Sequence, residues 1–280
     1  MHEPEAATIS GGMVKRKQRP NQKANRTKDR GKKQSGAAPG SSQGGGFLYG
    51  LHAVLAALAN PARRCSRLYA TRNALKEIEE KGLTNRIPIE ITDSATLEKK
   101  LPPGAVHQGL ALETCALPEP ALEDACAGAG TIIVLDQVTD PHNVGAILRS
   151  GAMFGARALI MTDRHSPPQS GVLAKAASGS LEHVALVRVT NLARTLGKLK
   201  NLGFTVIGLD GDAPETLAGL KLSGRIALVL GAEGHGLRRL TRETCDILAR
   251  LPAIGPIISL NVSNAAAIAL YELSTRPSTE

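Results

Sequence analysis

The sequence predicts an α/β protein in which helices cover both faces of a parallel sheet, preceded by a smaller α/β domain. Three observations carry this. Short unbroken apolar runs such as TIIVL at 131–135 and IALVL at 226–230 show no polar alternation, so both of their faces are buried. Between such runs lie stretches of helical period and length, as parallel neighbours require. At 280 residues the chain is long enough for two domains, and with 2% aromatics and no Trp its core must be built from Leu, Ile, Val and Ala.

Taken in order, residues 1–46 are rich in Lys, Arg, Gln, Gly and Ser and could bury little, so they read as a disordered tail. They hold ten Lys/Arg against Glu3, Glu5 and Asp29, a net +7 of the total +9, which leaves +2 for the rest. Such an arm attracts phosphate backbones non-specifically; a merely solubilising tail is the plain alternative. Order begins at Phe47. A helix over 50–59 stops at Asn60-Pro61; a strand near 67–71, a helix over 73–81, a strand at 87–91, a helix over 94–100 and a strand over 109–114 complete the first domain, 47–116. His107, in the turn GAVHQG (104–109), reads as a solvated loop histidine. Residues 117–130 read as a linker, with Pro118, Pro120 and closing glycines. From 131 to 280, strands at 131–136, 157–162, 183–189, 204–209 and 225–230 alternate with helices at 141–154, 171–178, 191–202 and 236–248. A last helix runs from Ala265 to about Leu273, capped by Ser263 or Asn264.

Composition excludes several function classes. Cys65, Cys115, Cys126 and Cys245 are scattered, with no CxxC and no His at ligand spacing, so neither a metal site nor a disulfide framework is expected. No apolar run approaches the ~20 residues of a membrane span, and the N-terminus lacks the apolar core of a secretory signal. The expected setting is cytoplasmic.

Ligands of parallel sheets bind beyond the carboxyl ends of the strands, which singles out three loops. The first, LDQVTDPHNVGAILRSGAMFGA (135–156), starts a helix at Asp140-Pro141, placing Asn143 in the first turn. Arg149 shares a face with His142, Gly145 and Ala146, and the small Gly145 should leave room for something to approach it. The second, IALVLGAEGHGLRRLTRETCD (226–246), places Gly231, Gly234 and Gly236 between a strand and a helix, with Glu233 its one carboxylate before the helix. Glycines there free backbone N–H groups for a polar ligand, but the order GxxGxG is not the dinucleotide fingerprint and no phosphate-binding GK[ST] occurs. The third, 251–273, sets Ser259, Leu260 and Asn261 between a Pro/Gly loop and an Ala-rich helix.

Together DPHNVGAILRS, LVLGAEGHGL and LPAIGPIISLNVSNAAAIALYE closely resemble the three ordered motifs of the SpoU (TrmH-type) branch of the SPOUT RNA methyltransferases. FLYGLHAV and GAVHQG resemble the L30e-like substrate-binding domain that accompanies it in bacterial ribosomal-RNA guanosine 2′-O-methyltransferases. The resemblance spans about 47–275 and departs from the pattern at Ala253, where Met is frequent, and at Ile257. It implies a C-terminal trefoil knot with 251–273 tucked through it, a rare exception to unthreaded chains. It implies S-adenosylmethionine held mostly by backbone groups, at positions matching Gly231, Leu251 and Leu260. It implies a homodimer with the site at the subunit interface, acting on RNA, most simply 23S ribosomal RNA. The matching catalytic positions are Asn143, Arg149, Glu233, Ser259 and Asn261. The family assigns Arg149 the activation of the ribose 2′-OH; because guanidinium stays protonated, stabilising the developing alkoxide or holding the adjacent phosphate is the more chemical role. Asn143 and Ser259 would position the ribose and Arg149, Glu233 would brace its loop, and Asn261 would secure the knot and cofactor pocket. The alternatives are a transfer-RNA or antibiotic-resistance 2′-O-methyltransferase, or a non-catalytic RNA-binding assembly factor on the same fold.

Overall fold

The computed structural model describes residues 46–83, 87–256 and 259–276. The expectations for the basic tail up to residue 45 and for Ile257 lie outside these residues.

The first layer contains β1 (Gly46–Tyr49), α1 (Leu51–Ala59), β2 (Cys65–Ala70), α2 (Arg72–Glu80), β3 (Ile89–Ile91), α3 (Ser94–Lys100) and β4 (Leu110–Thr114). Its sheet order is β1-β4-β2-β3, with β4 antiparallel to both neighbours and β2 parallel to β3. Helices α2 and α3 start where short polar side chains cap them: Thr71 accepts from the Ala74 amide, and Asp93 from the Thr96 amide at 2.7 Å. The Thr96 backbone hydrogen bond holds the Asp93 carboxyl below its ordinary pKa. The first strand, β1, was not expected. Its four residues are too few to show a period, and pairing with β4 is what makes them a strand. His107 is also not the solvated residue expected: it is buried, and its Nδ1 accepts from the Gly109 amide at 3.0 Å.

The stretch read as a linker is packed. It contains α4 (Leu122–Ala125), whose Leu122 and Ala125, with the adjoining Cys126, are buried against the second sheet. There follow β5 (Ile132–Asp136), α5 (Pro141–Met153), β6 (Ala158–Thr162), α6 (Gly171–Ala177), β7 (Ala185–Val189), α7 (Leu192–Asn201), β8 (Phe204–Leu209), β9 (Glu215–Thr216), β10 (Arg225–Gly231), α8 (Arg239–Thr244), β11 (Ile247–Arg250) and α9 (Val262–Ser274). The seven strands run in the order β7-β6-β5-β10-β8-β11-β9, every pair parallel. Alternate residues of the central strands feed two cores, one on each face. Ile133, Leu135, Leu159, Met161, Leu228 and Leu230 pack with α5, α6 and α9. Ile132, Val134, Ala158, Ile160, Ala227 and Val229 pack with α4 and α7.

Two helices differ from expectation by three residues or more. The helix expected over 236–248 is only α8; Cys245 turns extended (φ −62°, ψ 147°), and Ile247–Arg250 forms β11 beside β8. An open strand position next to β8 outweighs the helical period of RETCDIL. Burial pushes the Cys245 thiol up to about 12, as suits a packing residue rather than a nucleophile. The last helix begins at Val262, three residues early, because Asn261 supplies the cap: its Oδ1 accepts from the Ser263 amide at 2.8 Å.

Candidate active site

The carboxyl ends of β5, β10 and β11 lead into the three loops singled out in the sequence. β5 and β10 are neighbours in register, with Gly231 opposite Asp136. At the end of β5, Asp140 caps α5 by accepting from the His142 amide at 2.9 Å, with Pro141 in the first turn. That start places Asn143 at the sheet edge.

Three predicted residues from three separate loops meet there. Asn143 Nδ2 donates to Glu233 Oε1 at 3.0 Å. Asn261 Nδ2 donates to the same Glu233 oxygen at 2.6 Å and to Asn143 Oδ1 at 3.0 Å. A carboxylate oxygen accepting from two side-chain amides is a strong, direction-fixing arrangement. Asn261 Oδ1 also accepts from the Ser263 hydroxyl at 2.5 Å, so its orientation is fixed at both ends. The cap of α9 and the knot of polar groups are therefore one residue.

Arg149 stands apart from this cluster. It lies two turns further along α5, exposed, its side chain making no hydrogen bond or ion pair to another described residue. Gly145 does not open a path to it as expected; a Cβ there would lie 2.4 Å from Ala176 Cβ and 2.8 Å from the Ala177 amide, so its smallness admits α6. Ser259 and Leu260 are exposed and follow the undescribed pair 257–258. Leu251 is half-buried at the end of β11, and Gly231 closes β10.

The loop after β10 is tightly closed. Ala232 and Gly236 exchange two backbone hydrogen bonds, of 3.2 and 2.9 Å. Its far end is fastened to β5 by a residue that the sequence reading did not single out. Asp136, fully buried, accepts from the Arg238 amide at 3.0 Å and from Arg238 Nε at 2.6 Å. The available signal was the charge itself, a carboxylate ending the apolar strand TIIVLD. Replacing Asp136 with Ala is expected to cost about 1–3 kcal/mol, because the donors it satisfies lose their acceptor. A denaturant midpoint unchanged from wild type would contradict this role.

The loop after β11 offers a bound cofactor apolar side chains and backbone polar groups rather than a cluster of charges. Ile254 and Leu260 expose apolar side chains, and the backbone groups of 252–256 make no hydrogen bond to another described residue. That combination offers apolar contact together with backbone donors and acceptors. Among the described residues no cluster of three or more His, Cys, Asp or Glu could hold a metal ion, and no helix is long and apolar enough to cross a membrane.

Known proteins resemble this chain in two blocks. Residues 130–271 match the SpoU rRNA Methylase family, and residues 47–120 match the family described as RNA 2′-O ribose methyltransferase substrate binding. The chain is 39% identical over 239 residues to the 23S rRNA (guanosine-2′-O-)-methyltransferase RlmB of Vibrio vulnificus (strain CMCP6), covering 81% of this chain and 95% of that protein. It is 40% identical over 239 residues to the protein of the same name from Escherichia coli (strain K12), covering 81% and 96%. In fold it is similar to the SpoU methyltransferase AviRb from Streptomyces viridochromogenes, a structure determined in complex with AdoMet. That match has a TM-score of 0.70, 21% identity, and covers 82% of this chain and 89% of the other. The matched fold, the three loops in their order and nearly full-length relatives lead to one conclusion: the chain belongs to the SpoU rRNA methylase family.

Proposed function

We propose that this chain transfers a methyl group from S-adenosylmethionine to the ribose 2′-OH of a guanosine in 23S ribosomal RNA. The observation that carries the proposal is the Asn143–Glu233–Asn261 network, which ties the three family motifs into one polar centre at the carboxyl edge of the sheet. S-adenosylmethionine supplies an electrophilic methyl on a sulfonium, and Gly231, Leu251 and Leu260 are the residues we assign to holding it. Glu233 anchors the two amides, leaving Asn143 aimed by its partners rather than by its own rotamer preference. Asn143 and Ser259 position the ribose, and Asn261 couples that centre to the start of α9. Arg149, exposed and without a protein counter-ion among the described residues, is available to an RNA phosphate or to the alkoxide that develops as the hydroxyl passes its proton to phosphate or water, the methyl moving to the oxygen and S-adenosylhomocysteine leaving.

We further read the chain as a homodimer with no metal, working in the cytoplasm, with 47–116 as an L30e-like RNA-binding domain, 117–130 as its connection and 131–280 as the methyltransferase domain. Met153 on α5 and Ile268 and Tyr271 on α9 expose apolar side chains on two helices that pack together, which favours a second copy there. A trefoil knot at the C-terminus is supported by β8 lying between β10 and β11, and by Arg276 beyond α9 donating to the carbonyls of Leu217 and Leu220.

The test is incubation with methyl-labelled S-adenosylmethionine and 23S ribosomal RNA, followed by alkaline digestion. The expected product is label in one alkali-resistant dinucleotide beginning with guanosine. Label on a base, or none, would overturn the reading.

A further inference from the structure

The layer built on β1–β4 is joined to the seven-stranded layer by a buried polar clamp. Arg63 follows α1, and Glu182 ends the 3-10 turn Ser180–Glu182 that follows α6. Their side chains are each 3% exposed. Arg63 Nε donates to Glu182 Oε1 at 3.1 Å, and Arg63 Nη2 donates to that same oxygen. Asn60 Nδ2 donates to Glu182 Oε2 at 2.6 Å, and Arg63 Nη1 donates to the Cys115 carbonyl at 2.9 Å. A second tie comes from the last turn of α6, where Lys175 Nζ donates to Gln108 Oε1 and the Leu51 amide donates to it at 3.2 Å.

The surrounding surfaces meet without slack. A Cβ on Gly171 would lie 2.5 Å from both the Phe47 carbonyl oxygen and Tyr49 Cε1, and one on Gly179 would lie 2.7 Å from Ala56 Cβ. On its opposite side α6 meets α5 through Gly145 and Ala176. One hydrophobic core runs through the joint, from Leu48, Val54 and Leu58 to Leu173, Ala177 and Leu181. Helix α6 is therefore a wedge, touching the small layer on one side and, on the other, the helix that carries Asn143 and Arg149.

A buried ion pair contributes little net stability compared with apolar residues of similar size, but it tolerates few orientations. We propose that Arg63 and Glu182 are positioning residues for methyl transfer, fixing the small layer in one orientation on α6. RNA held by that layer then reaches the Asn143–Glu233–Asn261 centre in a single register. This rests on the functional reading above, in which the small layer grips RNA.

The test uses the full chain with Arg63→Met and Glu182→Met together, which removes both charges without stranding either. Small-angle scattering should show a larger maximum dimension than wild type. The KM for 23S ribosomal RNA should rise at least tenfold, with kcat within twofold and S-adenosylmethionine affinity unchanged. A folded double variant with wild-type scattering and KM would overturn the proposal. Should that variant fail to fold, Glu182→Gln, which keeps shape and an acceptor, is read by the same measurements and judged by the same outcomes. If the wild-type chain transfers no methyl group, the functional reading fails; scattering and RNA affinity still report on the clamp by themselves.

Discussion

Arg149→Ala is expected to lower kcat for methyl transfer by about 10²–10³-fold, the usual cost of removing one donor aimed at a developing oxyanion. Cofactor affinity, measured by calorimetry, should stay within twofold of wild type. The structure separates the two effects. The Arg149 side chain is exposed on α5 and bonds to no described residue, so truncating it breaks no polar network. Folding stability should move by no more than about 0.5 kcal/mol, as for ordinary surface substitutions. Arg149→Lys should recover only part of the rate, because an ammonium keeps the charge without the planar fork. Full activity in Arg149→Ala would remove the residue from the chemistry.

The second large effect falls on the loop after β10. Gly231→Ala places a Cβ 2.2 Å from the Gly236 carbonyl carbon, 2.3 Å from its oxygen and 2.5 Å from the Leu237 amide nitrogen. All three neighbours are backbone, so no side chain can swing aside, and the loop itself must open. Opening breaks the Ala232–Gly236 pair of hydrogen bonds and displaces Glu233, which sits between them. Overpacking of this kind costs about 1–3 kcal/mol. Because Glu233 orients both Asn143 and Asn261, cofactor affinity should fall at least tenfold and methyl transfer with it. Gly211→Ala is the control: a Cβ there meets nothing within 4 Å, and the site lies on another loop. Cofactor affinity equal to wild type in Gly231→Ala would show that the tight loop is not part of the pocket.

Both predictions bear on how far the sequence could be read. The fully apolar strands and the Asp140-Pro141 helix start are local signals, and the structure forms β5, β10 and α5 where those signals lie. That Asn143, Glu233 and Asn261 touch could be inferred only through family resemblance, since 90 and 28 residues separate them along the chain. The misread features have a common cause in tertiary context. Arg–Glu–Thr–Cys–Asp–Ile–Leu carries a helical period, yet the sheet claims its last residues as β11. Gly145 is small on the face that bears Arg149, but only the position of α6 reveals what its smallness admits. Arg63 and Glu182 look ordinary in sequence and become distinctive only when burial is known, whereas Asp136 carried one local signal, a carboxylate ending an apolar strand.

The central claim is ribose methylation of one guanosine in 23S ribosomal RNA. It is tested most directly by mapping 2′-O-methyl marks on that RNA from cells with and without the gene, and again after restoring either the wild-type gene or Arg149→Ala. The account predicts one guanosine mark that vanishes with the gene, returns with the wild-type copy and stays absent with the variant. An unchanged methylation map in cells lacking the gene would contradict it.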